Sequence, residues 1–321
     1  MTATVPAKLP LNKKTKKQLA RGENGAAKRT KKRLTSRGAT LAALVIAVLW
    51  TTPTFGLFVS SLRPPEEILR NGWWTIFQNP GFTLNNYTEV LAAGNSQLNL
   101  AGAFINSIAI TLPATIFPLV IASLAAYAFA WIKFPGRNWM FIGVFALQIV
   151  PLQMALVPLL SLFSRGLSIG DIEIFSSLNA SNSYSQVWIA HTIFALPLAI
   201  FLLHNFVSEI PSELIEAARV DGAGHGQVFF RIVLPLTMPA IASFAIFQFL
   251  WVWNDLLVAL VFADGRVAPM TKLLAEITGS RGQDWNLLTA GAFISILVPL
   301  IVFFALQRYF VRGLLAGSTK G

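Results

Sequence analysis

The sequence predicts an all-α integral membrane protein with six transmembrane helices. Two observations carry that prediction. Of the 321 residues, 55% are hydrophobic and only 12% are charged, about half the charged quarter usual in a soluble domain. The apolar residues also stand in long continuous blocks rather than in a short period. About 20 helical residues cross the hydrocarbon core of a bilayer, so blocks of that length read as spans. Helices are predicted rather than strands because the runs are long and do not alternate.

The first span is placed at 39–61, the second at 103–130 and the third at 139–163. The fourth is placed at 184–206, the fifth at 240–262 and the sixth at 287–307. Pro53, Pro113, Pro118, Pro151, Pro158, Pro197 and Pro299 fall inside these runs. In a bundle, neighbouring helices can satisfy the carbonyls that proline frees, so kinked spans are tolerated. The prolines read as bundle geometry or as hinges in a pathway.

Lys and Arg placement sets the expected orientation. Residues 1–38 hold 12 of the 25 basic residues, from Lys8 to Arg37. With that tail in the cytoplasm, Lys133, Arg137, Arg219, Arg231, Arg308, Arg312 and Lys320 also lie inside. Only Arg63, Arg70, Arg165, Arg266, Lys272 and Arg281 lie outside. Both termini are therefore expected in the cytoplasm. The formal charge of +11 sits mostly in the tail, next to anionic lipid, which is its expected partner rather than nucleic acid. The tail's composition predicts disorder, and it is too long and too charged to be a cleaved signal peptide. There is no cysteine, which excludes disulfides, thiolate metal sites and a cysteine nucleophile.

The segment with most information is the loop between the fourth and fifth spans, residues 207–239. Ser212 follows Pro211 and is placed to cap a helix, with Glu213 and Glu216 in its first turns. That helix, 213–220, should end at Gly222 in a left-handed turn. A second short helix, 226–233, should end before Pro235. Leu214, Ile215, Ala218, Phe229, Ile232 and Val233 give the pair an apolar face. Such a surface helix–turn–helix suits either a grip for a soluble partner or a bed on lipid.

The residues Glu216, Ala217, Ala218, Asp221, Gly222 and Ala223, followed by Phe229 or Phe230, Pro235 and Pro239, resemble the EAA signature of ABC-importer permeases. The likeness extends along most of the chain after the tail. Asn85-Asn86-Tyr87, Asn106-Ser107, Trp253-Asn254-Asp255, Asn71-Gly-Trp-Trp74 and the end from Gln307 to Gly321 are similar to the carbohydrate-uptake branch that includes the second maltose-transport permease. The resemblance implies a type I importer permease fold, with 39–310 as the permease domain and 311–321 as a cytoplasmic tail. It implies that the loop docks on an ATP-hydrolysing subunit. It further implies a second permease subunit, two ATP-binding subunits and an extracytoplasmic sugar-binding protein as partners. Thr278, Gly279, Ser280, Gln283 and Asp284 become a candidate contact with that binding protein, and Gly317 and Lys320 a candidate contact with the ATPases. The implied function is uptake of a sugar, an oligosaccharide or α-glucoside, by alternating access. The basic tail is not covered by the likeness.

The chain lacks the Gly-x-x-x-x-Gly-Lys-Ser/Thr phosphate loop, so ATP and its Mg are expected in a partner chain, with no cofactor, metal or catalytic residue in this one. Asp255 is the one acid placed inside a span, where an acid invites a functional reading. It reads either as a helix-end acid satisfied by Asn254 and water or as a hydroxyl-binding group on the sugar pathway with Asn254 and Trp253. Trp251 and Trp253 read as an interfacial belt or as a stacking surface. His191 and His204 stand 13 apart with no carboxylate at ligand spacing, and His225 reads as a docking or surface residue. The rival function is a secondary transporter or channel without ATP. It accounts for the spans and leaves the EAA-like loop unexplained.

Overall fold

The computed structural model describes residues 37–91, 99–178, 183–279 and 284–318. The described chain is almost wholly helical. It divides into two units at Val59 and Ser60. The first unit carries most of α1 (Arg37–Ser61), which contains Pro53. Thr51 and Thr52 there return their hydroxyls to the carbonyls of Ala47 and Val48, the usual way for these side chains to be satisfied inside a helix. Apart from Arg37 and Gly38, the expected basic tail lies outside the described residues.

The second unit begins with the short helices α2 (Pro65–Arg70) and α3 (Asn85–Leu91). Its centre is α4 (Leu100–Trp131) packed along α7 (Tyr184–Ser208), the most extensive contact between elements. Apolar surface gains nothing by leaving lipid for another apolar helix, so close packing of small residues must hold such a pair. Ala114, Ala122 and Ala126 of α4 and Ala190 and Ala199 of α7 are completely buried. At about 1.5 Å per residue α4 is roughly 48 Å long, longer than the roughly 30 Å thickness of the hydrocarbon core.

Between these two lie α5 (Arg137–Ala146) and α6 (Leu152–Arg165). They were expected as one continuous third span, kinked at its prolines. Instead they meet at 105°. Pro151 holds Val150 in extended backbone with φ −70° and ψ 118°, as the residue before proline requires, and the helix cannot pass. A two-stranded hairpin, β1 (Leu167–Ile169) with β2 (Ile172–Phe175), follows α6.

The loop after α7 forms α8 (Ser212–Val220) and α9 (His225–Val228). Two expectations are corrected here. Ser212 does not cap; the cap position belongs to Pro211 and Ser212 is the first helical residue. The second short helix does not end before Pro235. It passes through a π turn, Phe229–Val233, into α10 (Leu234–Trp253), making one apolar helix from His225 to Trp253. Proline lacks an N–H and its ring clashes with the carbonyl four residues back. The wider turn, with the Leu234 N–H reaching the Phe229 carbonyl, relieves both.

The fifth span was expected to run to Phe262. It stops at Trp253, and a separate short helix α11 (Leu257–Phe262) follows. Then come α12 (Met270–Gly279) and α13 (Trp285–Ser318). Residues 311–318, expected as a tail, continue the last helix, and Gly317 lies within it. Lys320, Ser280 and Gln283 lie outside the described residues, as do the side chains of Thr278 and Gly279.

The packing of α4 on α7 yields a direct test. Ala122→Leu should force the two helices apart and cost about 1–3 kcal/mol, lowering the melting temperature of the detergent-solubilised protein. Val120→Leu, at a position 53% exposed, should leave it unchanged.

Candidate functional site: a loop corner and the opposite end of the bundle

The loop helix α8 ends in a two-bond turn. The Ala223 N–H donates to the Ala218 carbonyl and the Gly222 N–H to the Arg219 carbonyl, with Gly222 at φ +83°. This is the Schellman arrangement, which wants a glycine at the left-handed position and an apolar contact across the turn. Ala218 and Ala223 stand at the two positions of that contact, and both are packed against the core. Gly224 then opens α9, its N–H bonded to the Gln227 side chain. The EAA-like residues are thus the parts of a rigid corner.

The corner has two faces. Ile215, Val228, Phe229 and Val233 are buried in a core shared with α4, α7 and α10. Most of the apolar face expected to meet a partner or lipid is therefore spent inside the chain itself. Glu213, Glu216, Ala217, Asp221 and Gly222 are exposed. So are Leu214, Val220 and Phe230, at 47%, 87% and 64%. A Cβ added at Gly222 meets nothing within 4 Å. Three apolar side chains among acids, on a rigid corner, form a surface that a complementary groove can grip. Pro235 is exposed at the foot of α10.

Behind the corner, His225 Nδ1 lies 2.9 Å from the Tyr127 hydroxyl of α4. The Tyr127 ring packs edge-on to Phe229 at 5.5 Å. The sequence placed His225 at the surface. It is exposed, and it is also joined to a helix 98 residues away in the chain.

At the opposite end of the bundle, polar groups tie helices and loops together. Asn106 donates to the carbonyls of Arg266 and Ala268 and accepts from the Tyr184 hydroxyl. The Met270 N–H donates to Ser107. Asn86 donates to the carbonyls of Ser61 and Arg63 and accepts from Asn286. Arg63, counted in the sequence only as a loop charge, is 1% exposed. Its guanidinium donates to the Gly72 carbonyl, Thr75 and Glu67. The i,i+4 spacing of Arg63 and Glu67 was the one local sign of this. Lys272, also buried, donates to the Ala263 carbonyl and to Asp264. That hydrogen bond holds the Asp264 carboxyl below the usual carboxylate range, so the contact persists at neutral pH and is lost on strong acidification.

The three proposed pathway residues separate. Trp253 is 3% exposed, stacked on Phe249, edge-on to Phe104, and donates to the Ser295 carbonyl. It is neither a belt residue nor a free stacking surface. Asp255 lies in the break after α10. Its carboxylate accepts from the Val258 and Ala259 N–H groups at the start of α11, and Oδ2 lies 3.8 Å from His191 Nε2. It is a helix-end acid, satisfied by backbone and faced by His191 rather than held by Asn254, whose amide donates to the Leu250 carbonyl. The pairing with His191 spans 64 positions and had no signal in spacing. Asn254 faces an open cavity of about 460 Å³ lined also by Leu274, Ser295, Pro299 and Phe303, whereas Trp253 and Asp255 border a space of only about 10 Å³. Asp284 stands at the start of α13, its carbonyl bonded by the Leu288 N–H. Among the described residues, no group of three or more His, Cys, Asp or Glu is gathered for a metal.

Comparison with known proteins places this arrangement. Residues 118–315 match the family described as binding-protein-dependent transport system inner membrane component. An osmoprotective compounds uptake permease of Synechocystis is 53% identical over 87% of this chain and 91% of its own length. An α-glucoside transport system permease of Rhizobium meliloti is 39% identical over 88% of this chain and 96% of its own. A crystal structure of a bacterial ABC transporter that imports alginate contains a chain with the same fold. The two superpose with a TM-score of 0.66 at 18% identity, over 87% of this chain and 98% of that one.

Asp255→Ala removes the acceptor at the start of α11. It should lower stability by about 1–2 kcal/mol, the cost of a lost cap. Asp255→Asn, which keeps an acceptor oxygen, should recover most of it. Thermal unfolding in detergent reads both.

Proposed function

This chain belongs to the family of inner membrane components of binding-protein-dependent transport systems, and from that premise we propose how it works as the permease subunit of an ABC importer for carbohydrate. The chain forms half of the translocation pathway beside a second, homologous permease. Two ATP-binding subunits on the cytoplasmic side hold ATP and Mg and carry out hydrolysis. An extracytoplasmic binding protein delivers the cargo. The membrane is the prokaryotic inner membrane, with both termini in the cytoplasm, as the basic residues direct. The tail, 1–38, lies on anionic lipid.

The observation that carries the reading is the rigid corner at Gly222. Leu214, Val220 and Phe230 enter a groove on an ATP-binding subunit, with Glu213, Glu216 and Asp221 around them. Glu216, Ala217, Ala218, Asp221, Gly222 and Ala223 set the shape of the corner, and Phe229, Phe230 and Pro235 join it to α10. When ATP closes the ATPase pair, the corner moves as one piece and carries α10 with it, opening the pathway outward. Hydrolysis resets it. The segment 278–284 meets the binding protein, and the end of the chain from Gly317 to Lys320 meets the ATPases. Asn254, beside the open cavity, is the pathway residue of the trio that can reach a sugar hydroxyl. Relatives named for α-glucosides and for osmoprotective compounds support an α-glucoside or oligosaccharide as cargo, with small osmolytes as the other class to assay. The secondary-transporter reading has no support among these relatives.

Gly222→Asp tests the docking. The left-handed backbone costs a residue with a Cβ about 1–2 kcal/mol, and the space around Gly222 is open. The variant should insert and fold, yet lose the ATP-binding subunits that co-purify with the unaltered chain. Docking and transport at the unaltered level would refute the assignment. A second test is energetic. Uptake should survive collapse of the proton gradient and stop on ATP depletion; the opposite pattern would make the chain a secondary transporter.

A further inference from the structure

Resting on the coupling role of the loop, we propose that Tyr127 is the residue through which the loop drives α4, and that α4 carries the movement to the opposite end of the bundle. Both arms of the corner converge on this one hydroxyl. His225, at the start of α9, lies 2.9 Å from it. The positive charge of Arg219, in the last turn of α8, acts on the same hydroxyl. Phe229, in the π turn, packs on the ring. Tyr127 itself is 4% exposed. The buried corner is otherwise held by apolar contacts, which let surfaces slide. A hydrogen bond to a buried oxygen fixes a point.

The far end of α4 gives the movement somewhere to go. Asn106 and Ser107 grip residues 266–270 through three hydrogen bonds. Tyr127 and Asn106 are 21 positions apart, or about 31 Å along one unbroken helix. Trp188 and Trp131 tie the same helix to α7 through the Ala109 and Val207 carbonyls, so the two helices shift as one piece. A displacement of the corner is then felt at residues 266–270 without passing through α10.

Tyr127 is thereby a positioning residue, and its test needs a readout that stability alone would not move. The chain has no cysteine, so Ser295→Cys, a near-isosteric change in the lining of the open cavity, introduces a single reporter there. The protein would be assembled with its partner permease, ATP-binding subunits and binding protein in proteoliposomes. Maleimide labelling would be timed with and without ATP-Mg. In the parent, ATP-Mg should change the labelling rate. Tyr127→Phe keeps the ring and removes the hydroxyl. It should reduce that ATP-dependent change about fivefold, the effect of one neutral hydrogen bond, while the ATP-binding subunits still co-purify. His225→Ala should give a similar loss, and the double variant no further loss, because the two act as a unit. A normal ATP response in Tyr127→Phe would overturn the proposal. So would losses that multiply in the double variant, or loss of the ATP-binding subunits from Tyr127→Phe, which would make the hydroxyl part of the loop's fold. A parent that docks its ATP-binding subunits but shows no ATP response would overturn the importer reading and this proposal together.

Discussion

The close approach of α4 and α7 is the constraint on which the second unit depends. Two helices in lipid gain little by hiding apolar surface from an apolar solvent, so shape must hold them. Alanines at the contact, completely buried on both sides, let the backbones draw near along most of their length. Everything else hangs on that pair. α10 packs against both, α12 packs on α4, and α13 packs on α10. The loop corner is folded onto one end of the pair through Ile215, Val228 and Phe229. The loop 263–270 is pinned to the other end through Asn106 and Ser107. The corner and the pinned loop thus sit at opposite ends of one helix pair.

Polar side chains mark the joints of this framework. An unpaired polar group away from water costs free energy comparable to a lost hydrogen bond or more, so most of those present are matched to fixed partners, Arg63 Nε and His204 Nδ1 being the buried exceptions among the described residues. Gln248 donates to the Ala114 carbonyl and Trp188 to that of Ala109, tying α10 and α7 to α4. Asp255 and His191 face each other where α10 breaks. Arg63 is enclosed by Glu67, Gly72 and Thr75, which fixes the loop between α1 and α3. None of these needs a ligand to explain it. Asn254, by contrast, stands at an open cavity with its amide turned back to its own helix.

How much the sequence disclosed follows from the range of the physics involved. The spans were legible because insertion depends on the apolarity of about 20 neighbouring residues. Gly222 was legible because a helix end with a glycine is a local device. The angle at Pro151 was not, because proline announces a break without its size. The π turn was missed for a related reason: Pro235 forbids a regular turn, but only the packing of Phe229 and Val233 into the core decides whether the helix stops or widens. Trp253 looked accessible beside Asn254 and Asp255, and its burial depends on Phe104, Phe249 and Ser295 from other stretches of chain. The partnerships of Tyr127 with His225 and of His191 with Asp255 span 98 and 64 positions, and no local rule reaches that far.

The central claim is that the corner at Gly222 is held by an ATP-binding subunit, and the absence of cysteine from the chain allows a direct measurement. Val220, 87% exposed at the end of α8, would be replaced as Val220→Cys and given a short photoactivatable cross-linker in native membranes. The account predicts one dominant product, joined to an ATP-binding subunit, whose yield changes when ATP is added. A cysteine that takes the label fully yet joins only lipid, or only other copies of this chain, would contradict it.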